Sequence, residues 1–129
     1  MKSNAAEIIC EWIEQKKALP FTIYTDLIPD EDSDGACIRH DPAPAAEKRF
    51  LDGSRLVSWQ LTFFVRCQNA ENARRYATEI TGTLDGAEIT GSDGIKMDCE
   101  AATQPQFIDS DAKGFTTYSA SIKCTYLEE

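Results

Sequence analysis

Leu56-Val57-Ser58-Trp59-Gln60-Leu61-Thr62-Phe63-Phe64-Val65-Arg66-Cys67 decides the architecture. Val57, Trp59, Leu61, Phe63, Val65 and Cys67 alternate with Ser58, Gln60, Thr62 and Arg66. That two-residue period turns one face of a strand toward a core, whereas a helix brings the same side round only every 3.6 residues or so. Leu56 and Phe64 interrupt the polar set, which predicts partial cover on the second face too.

Working toward the C-terminus, Asn69 is placed to cap a helix whose inward stripe is Ala70, Ala73, Tyr76, Ala77, Ile80 and Leu84. Glu71 and Arg75, and Arg75 and Glu79, stand four apart on its wet face, and Asp85-Gly86 ends it as a glycine cap. Ile95, Met97 and Cys99 then alternate with Lys96, Asp98 and Glu100, and Gln106-Phe107-Ile108 leads to the polar turn Asp109–Gly114. A long strand follows from Phe115 to Leu127, with Tyr118, Ala120, Ile122, Cys124 and Tyr126 on one side.

Toward the N-terminus, Asp52-Gly53 makes a turn, and the proline- and alanine-rich stretch at about 41–53 reads as a projecting arm. Ala36–His40 and Phe21–Leu27 are short strands, the latter stopped by Pro29. Ahead of them Asn4 and Glu7 have capping-box spacing, and Ala5, Ile8, Ile9, Trp12 and Ile13 share the inner side of a helix ending near Leu19-Pro20. The order α-β-β-β-α-β-β-β predicts a single α+β domain over residues 1–129. Its mostly antiparallel sheet has about five to six strands, with both helices packed on one face.

Composition narrows the function. With 129 residues, 42% hydrophobic and 27% charged, the chain can bury one core. Its apolar runs are too short to span a membrane, and the start runs into a mixed-charge helix where a secretion signal would carry an apolar segment. A net charge of −9, from 22 acids against 13 Lys and Arg, argues against nucleic-acid binding through a basic patch. Five cysteines, odd in number and without close pairs, suit free thiols in a reducing cytosol.

Chemistry is hard to find. Asp30, Asp32, Asp34, Gly35 and Asp41 have the D-x-D-x-D-G spacing, with an acid at the twelfth place, by which oxygens wrap calcium. Against it, Pro29 and a strand precede the loop, and the last position holds the shorter Asp, followed at once by Pro42. A solvated acidic loop is the favoured reading. Cys37 and His40 have metal-pair spacing without a second pair, and His40 is the chain's one histidine, so no nucleophile–base set is assigned. The glycines sit mostly in Asp-Gly turns such as Asp34-Gly35 and Asp93-Gly94, and Trp12 and Trp59 fall on apolar faces. No catalytic residue and no cofactor is expected.

The missing active site shifts weight toward assembly. Sheet edges are templates for another chain, and one patch set against a different patch builds rings. Phe50-Leu51-Asp52-Gly53-Ser54-Arg55-Leu56-Val57, the strand to Cys67, Gln68-Asn69 with its alanine-rich helix, and Gln104-Pro105-Gln106-Phe107 before an acidic-glycine turn carry a resemblance. Together they resemble the minor capsid or tail-terminator proteins of long-tailed bacteriophages and prophages of Gram-positive bacteria. The resemblance implies a non-enzymatic ring of six copies at the virion head–tail junction, assembled in the host cytoplasm. Such a ring ends the tail tube and meets the tail-tube and head-completion proteins, while DNA passes through without specific binding. Asp30, Glu31, Asp32 and Asp34 are the candidate acids of its lumen or rim. The alternatives are a soluble adaptor that binds by strand addition at a sheet edge, or a small calcium-binding domain using residues 30–41.

Overall fold

Two long strands form the spine. The computed structural model describes residues 5–16, 19, 21–25, 28, 34–41, 48–90, 94 and 96–128. In chain order these form α1 (Ala5–Lys16), β1 (Ile23–Thr25), β2 (Gly35–Asp41), β3 (Lys48–Arg49) and β4 (Arg55–Cys67). There follow α2 (Ala70–Leu84), β5 (Glu88–Thr90), β6 (Lys96–Ala101), β7 (Gln106–Ser110) and β8 (Thr116–Glu128). β4 and β8 pair antiparallel along their whole length, from Arg55 opposite Glu128 to Cys67 opposite Thr116. The alternation in both strands therefore points to the same side: Leu61 lies opposite Ile122, Phe63 opposite Ala120, and all four are buried.

The sheet runs β1-β2-β4-β8-β6-β5, with β3 added to the start of β4 and β7 to the start of β8. It is an α+β fold, but with eight strands where sequence reading expects five or six. The additions are β3 and β5, of two and three residues, too short to show an alternating pattern. The sheet is also mixed, because β1 runs parallel to β2. Parallel neighbours ordinarily need a crossover of a dozen or more residues. Here β1 spans only three residues, roughly 10 Å, so the link over 26–34 can bring the chain back.

Both helices bear on the core face. α2 lies against β4, β8 and β6, with Ala73, Ala77, Ile80, Thr81 and Leu84 buried. Its alanines let the helix axis approach the sheet closely. Asn69 caps it by accepting the Asn72 N–H at 3.2 Å, as its position in sequence predicts. Gly86 adopts a φ of 80°, yet its N–H binds the Cys99 carbonyl of β6 at 2.8 Å, so the turn is tied to the sheet and not only to the helix. α1 touches β1 and β2 at one edge and β5 at the other. The sheet is thus curled enough for one helix to reach both of its edges, with Ile8, Ile9 and Ile13 buried beneath it. Asn4, the expected cap of α1, lies outside the described residues.

Candidate assembly surfaces

The second face of the β4–β8 ribbon is lined by hydroxyls. Ser58 and Thr125 lie 3.2 Å apart, as do Thr62 and Ser121. Thr62 donates its one hydroxyl proton to Asp41, so Ser121 must be the donor in the latter pair. Arg39 stacks over Phe64 at 5.0 Å and Arg66 over Phe115 at 5.5 Å. Together with Ile28, Cys37 and Thr117, Arg39, Phe64 and Arg66 line a shallow cleft of about 240 Å³. Two guanidiniums beside a hydroxyl ladder offer hydrogen bonds and charge to a partner but no nucleophile.

All five cysteines are buried and outside any disulfide. Burial pushes Cys10 up to about 12, helped by Glu14, and pushes Cys67 up to about 12, helped by Asp34. Cys99 and Cys124 face each other across β6 and β8 with sulfurs 3.1 Å apart. The contact lowers Cys99 and raises Cys124.

The acids read from sequence fare differently. Asp30, Glu31 and Asp32 lie outside the described residues. Asp34 is exposed, and its carboxylate accepts the Gln68 N–H at 2.9 Å. Asp41 is half-buried against Thr62. Between them runs the whole of extended β2, which sets the two carboxylates at opposite ends of a strand roughly 20 Å long. An ion-wrapping loop would bring them together. Among the described residues, no group of three or more His, Cys, Asp or Glu could hold a metal. His40 packs its ring on Trp59 at 4.6 Å, and Trp59 itself is only partly buried against the core.

Two corners of the ribbon carry exposed apolar side chains, one at the end of the arm that sequence reading places at about 41–53 and one that it did not single out. One is the β3–β4 hairpin, where Phe50 and Leu51 are 40% and 109% exposed. Its turn closes by Phe50 N–H to the Ser54 carbonyl at 2.9 Å and Gly53 N–H to the Phe50 carbonyl at 3.1 Å. Gly53 sits at φ 92°, where a side chain would be strained. Asp52 accepts from both the Ser54 hydroxyl, at 2.6 Å, and the Ser54 N–H, at 3.0 Å. Those bonds hold its carboxyl below the ordinary value, the hydroxyl contributing most. A depressed folded value means the bonds support the turn at neutral pH and are lost as pH falls through it. Ser54→Ala is expected to move the Asp52 titration back up toward an ordinary aspartate, as read by carboxyl carbon NMR; an unmoved titration would discard this account.

The other corner is β7. All five of its residues are exposed, with Phe107 at 56% and Ile108 at 43%, and the register slips between Phe107 and Asp109. Among the described residues β7 pairs only with β8, leaving its outer edge open.

The sequence matches the family described as "Bacteriophage tail terminator protein" over residues 9–128, from within α1 to the end of β8. The chain belongs to that family. This is a family of structural virion proteins, not of enzymes, and it assigns the chain to the tail end of a phage particle in contact with other phage proteins. No curated protein matches this tail terminator. Eleven solved chains do. One of them, whose name states no function, superposes with a TM-score of 0.59 over 93% of this chain and 88% of its own, at 12% identity, which shows a shared fold. Among the described residues, no helix of the tail terminator is long and apolar enough to cross a membrane.

Proposed function

We propose that copies of this chain form a closed ring, six being the number the resemblance implies, that stops growth of the tail tube and then receives the head-completion proteins. The match over residues 9–128 carries the reading. Physical support comes from a sheet with open edges and from two unlike apolar corners on one subunit, the requirement for head-to-tail closure. The acidic stretch Asp30, Glu31, Asp32 and Asp34 faces the lumen or rim, where negative charge repels passing DNA and keeps it from sticking. A ring of such carboxylates offers passing DNA no cationic group to neutralise its phosphates, so no counterions are released and nothing favours binding.

The test is made in the phage that encodes the chain. Without the protein, tube polymerisation has no stop, so electron microscopy is expected to show tails of unregulated length that do not join heads. Tails of normal length, joined to heads, would refute the assignment. A second arm replaces Asp30, Glu31 and Asp32 with lysine. Particles should still assemble but eject or package DNA poorly; unchanged infectivity would remove the lumen placement while leaving the ring.

A further inference from the structure

We infer that the β3–β4 hairpin of one subunit docks on the β7 edge of the next copy, Leu51 and Phe50 seating beside Phe107 and Ile108 while Arg49 meets Asp109. The inference rests on the ring reading and names the contact that would build it.

Neither corner is explained by the fold that carries it. A hairpin tip usually holds polar or turn-forming residues. Here the backbone of Leu51 and Asp52 forms the middle of the turn that the Gly53 N–H closes on the Phe50 carbonyl, yet the Leu51 side chain stands fully in solvent. At the other corner, edge strands are ordinarily blunted with lysine, proline or inward charge. β7 has none of these between Gln106 and Ser110 and offers an aromatic and a β-branched side chain instead. Its register slip breaks the flatness that would invite indiscriminate pairing, yet leaves the outer edge uncovered.

Charge matches the apolar pairing. In a chain of net charge −9, the eight residues from Lys48 to Arg55 hold Lys48, Arg49 and Arg55 against the single acid Asp52. Lys48 and Arg49 are exposed, with the Lys48 ammonium 5.3 Å from the Phe50 ring, so charge and apolar surface form one patch. The β7 corner holds two acids to one base: Asp109 is exposed on the strand, and Asp111 follows in the turn with Lys113 two residues on. Opposite charge around matched apolar centres favours the correct pairing and disfavours hairpin-to-hairpin contact.

Position completes the argument. The hairpin lies beside β4 at the end where Leu56 faces Leu127, and β7 lies beside β8 where Phe107 faces Tyr118. Nine residue steps from Tyr118 to Leu127 separate them by about 30 Å along β8, at ~3.4 Å per step, and they occupy opposite sides of the ribbon. One subunit cannot join its own corners. Two copies can, and the pair still has one free corner of each kind, which is how a heterologous contact continues round a ring.

The experiment measures assembly by sedimentation velocity up to millimolar concentration, alone and with the tail-tube protein, with circular dichroism as the check on folding. Leu51→Asp and Ile108→Asp are each expected to weaken association about 30-fold, the scale of a central contact residue. Mixed together, these two variants should give dimers and nothing larger, because only one intact contact remains. Arg49→Asp and Asp109→Arg should each weaken assembly, and the chain carrying both should regain it. Rings of wild-type strength from either apolar variant would overturn this contact and leave the ring reading standing. So would variants that keep wild-type rings but lose only the tube protein, since the corners would then face the tube. A wild type that stays monomeric in every condition would overturn the contact and the ring together.

Discussion

Phe63→Ala is expected to cost about 3–5 kcal/mol, measured as a fall in the denaturant midpoint. Such a loss is a large share of the roughly 5–15 kcal/mol that holds a domain of this kind folded. Phe63 is 2% exposed and sits mid-way along β4, with Ile38 of β2 on one side and Ala120 of β8 on the other. The small Ala120 opposite makes room for the ring, so its removal opens a void that neither neighbour can fill. Phe64 serves as the control. It points to the second face, half-buried under Arg39, and its replacement by alanine should cost less than half as much. Equal losses at the two positions would mean that the second face is as deeply buried in solution as the first, contrary to this fold.

Ile13→Ala should cost about 2–5 kcal/mol, and its effect should be local in a telling way. Ile13 is fully buried on α1, the helix that reaches β1 and β2 at one edge of the sheet and β5 at the other. Loosening α1 therefore frees both edges at once while α2 continues to cover β4, β8 and β6. Hydrogen exchange in the variant should show lost protection in Ile23–Thr25 and Glu88–Thr90, with the β4–β8 centre retained. Loss spread evenly over the sheet would show that α1 is not a clasp between edges.

Where each side chain faces was legible wherever an element was long. The period-two runs of β4 and β8 and the helical stripes of both helices place most of their buried residues on the sides that sequence predicts, with Trp12, Trp59, Tyr76 and Tyr118 only partly buried and Ala70 exposed. Such elements repeat their pattern several times, so the signal outweighs single exceptions. β3 and β5 escaped because two or three residues carry no period, and they exist only because β4 and β6 offer them an edge. The acids, by contrast, were legible as charge but not as geometry. Their spacing resembles an ion loop, while the backbone between Asp34 and Asp41 is spent on β2.

The candidate contact surfaces were the least legible. Leu51 falls in the stretch read as a projecting arm, but Phe107 looks in sequence like any other apolar residue near a turn, since an apolar side chain does not announce whether the fold will cover it. Composition and periodicity by themselves determined the two helices, the long strands, which side of each faces inward, and the chain's net negative charge. Tertiary structure alone decided the parallel β1–β2 pair, the curl that brings both sheet edges to α1, and the exposure of the two corners. The physical reason is range. Periodicity is set by the backbone within a few residues, whereas pairing order and exposure depend on which distant strand arrives alongside, and that is settled only when the whole core closes.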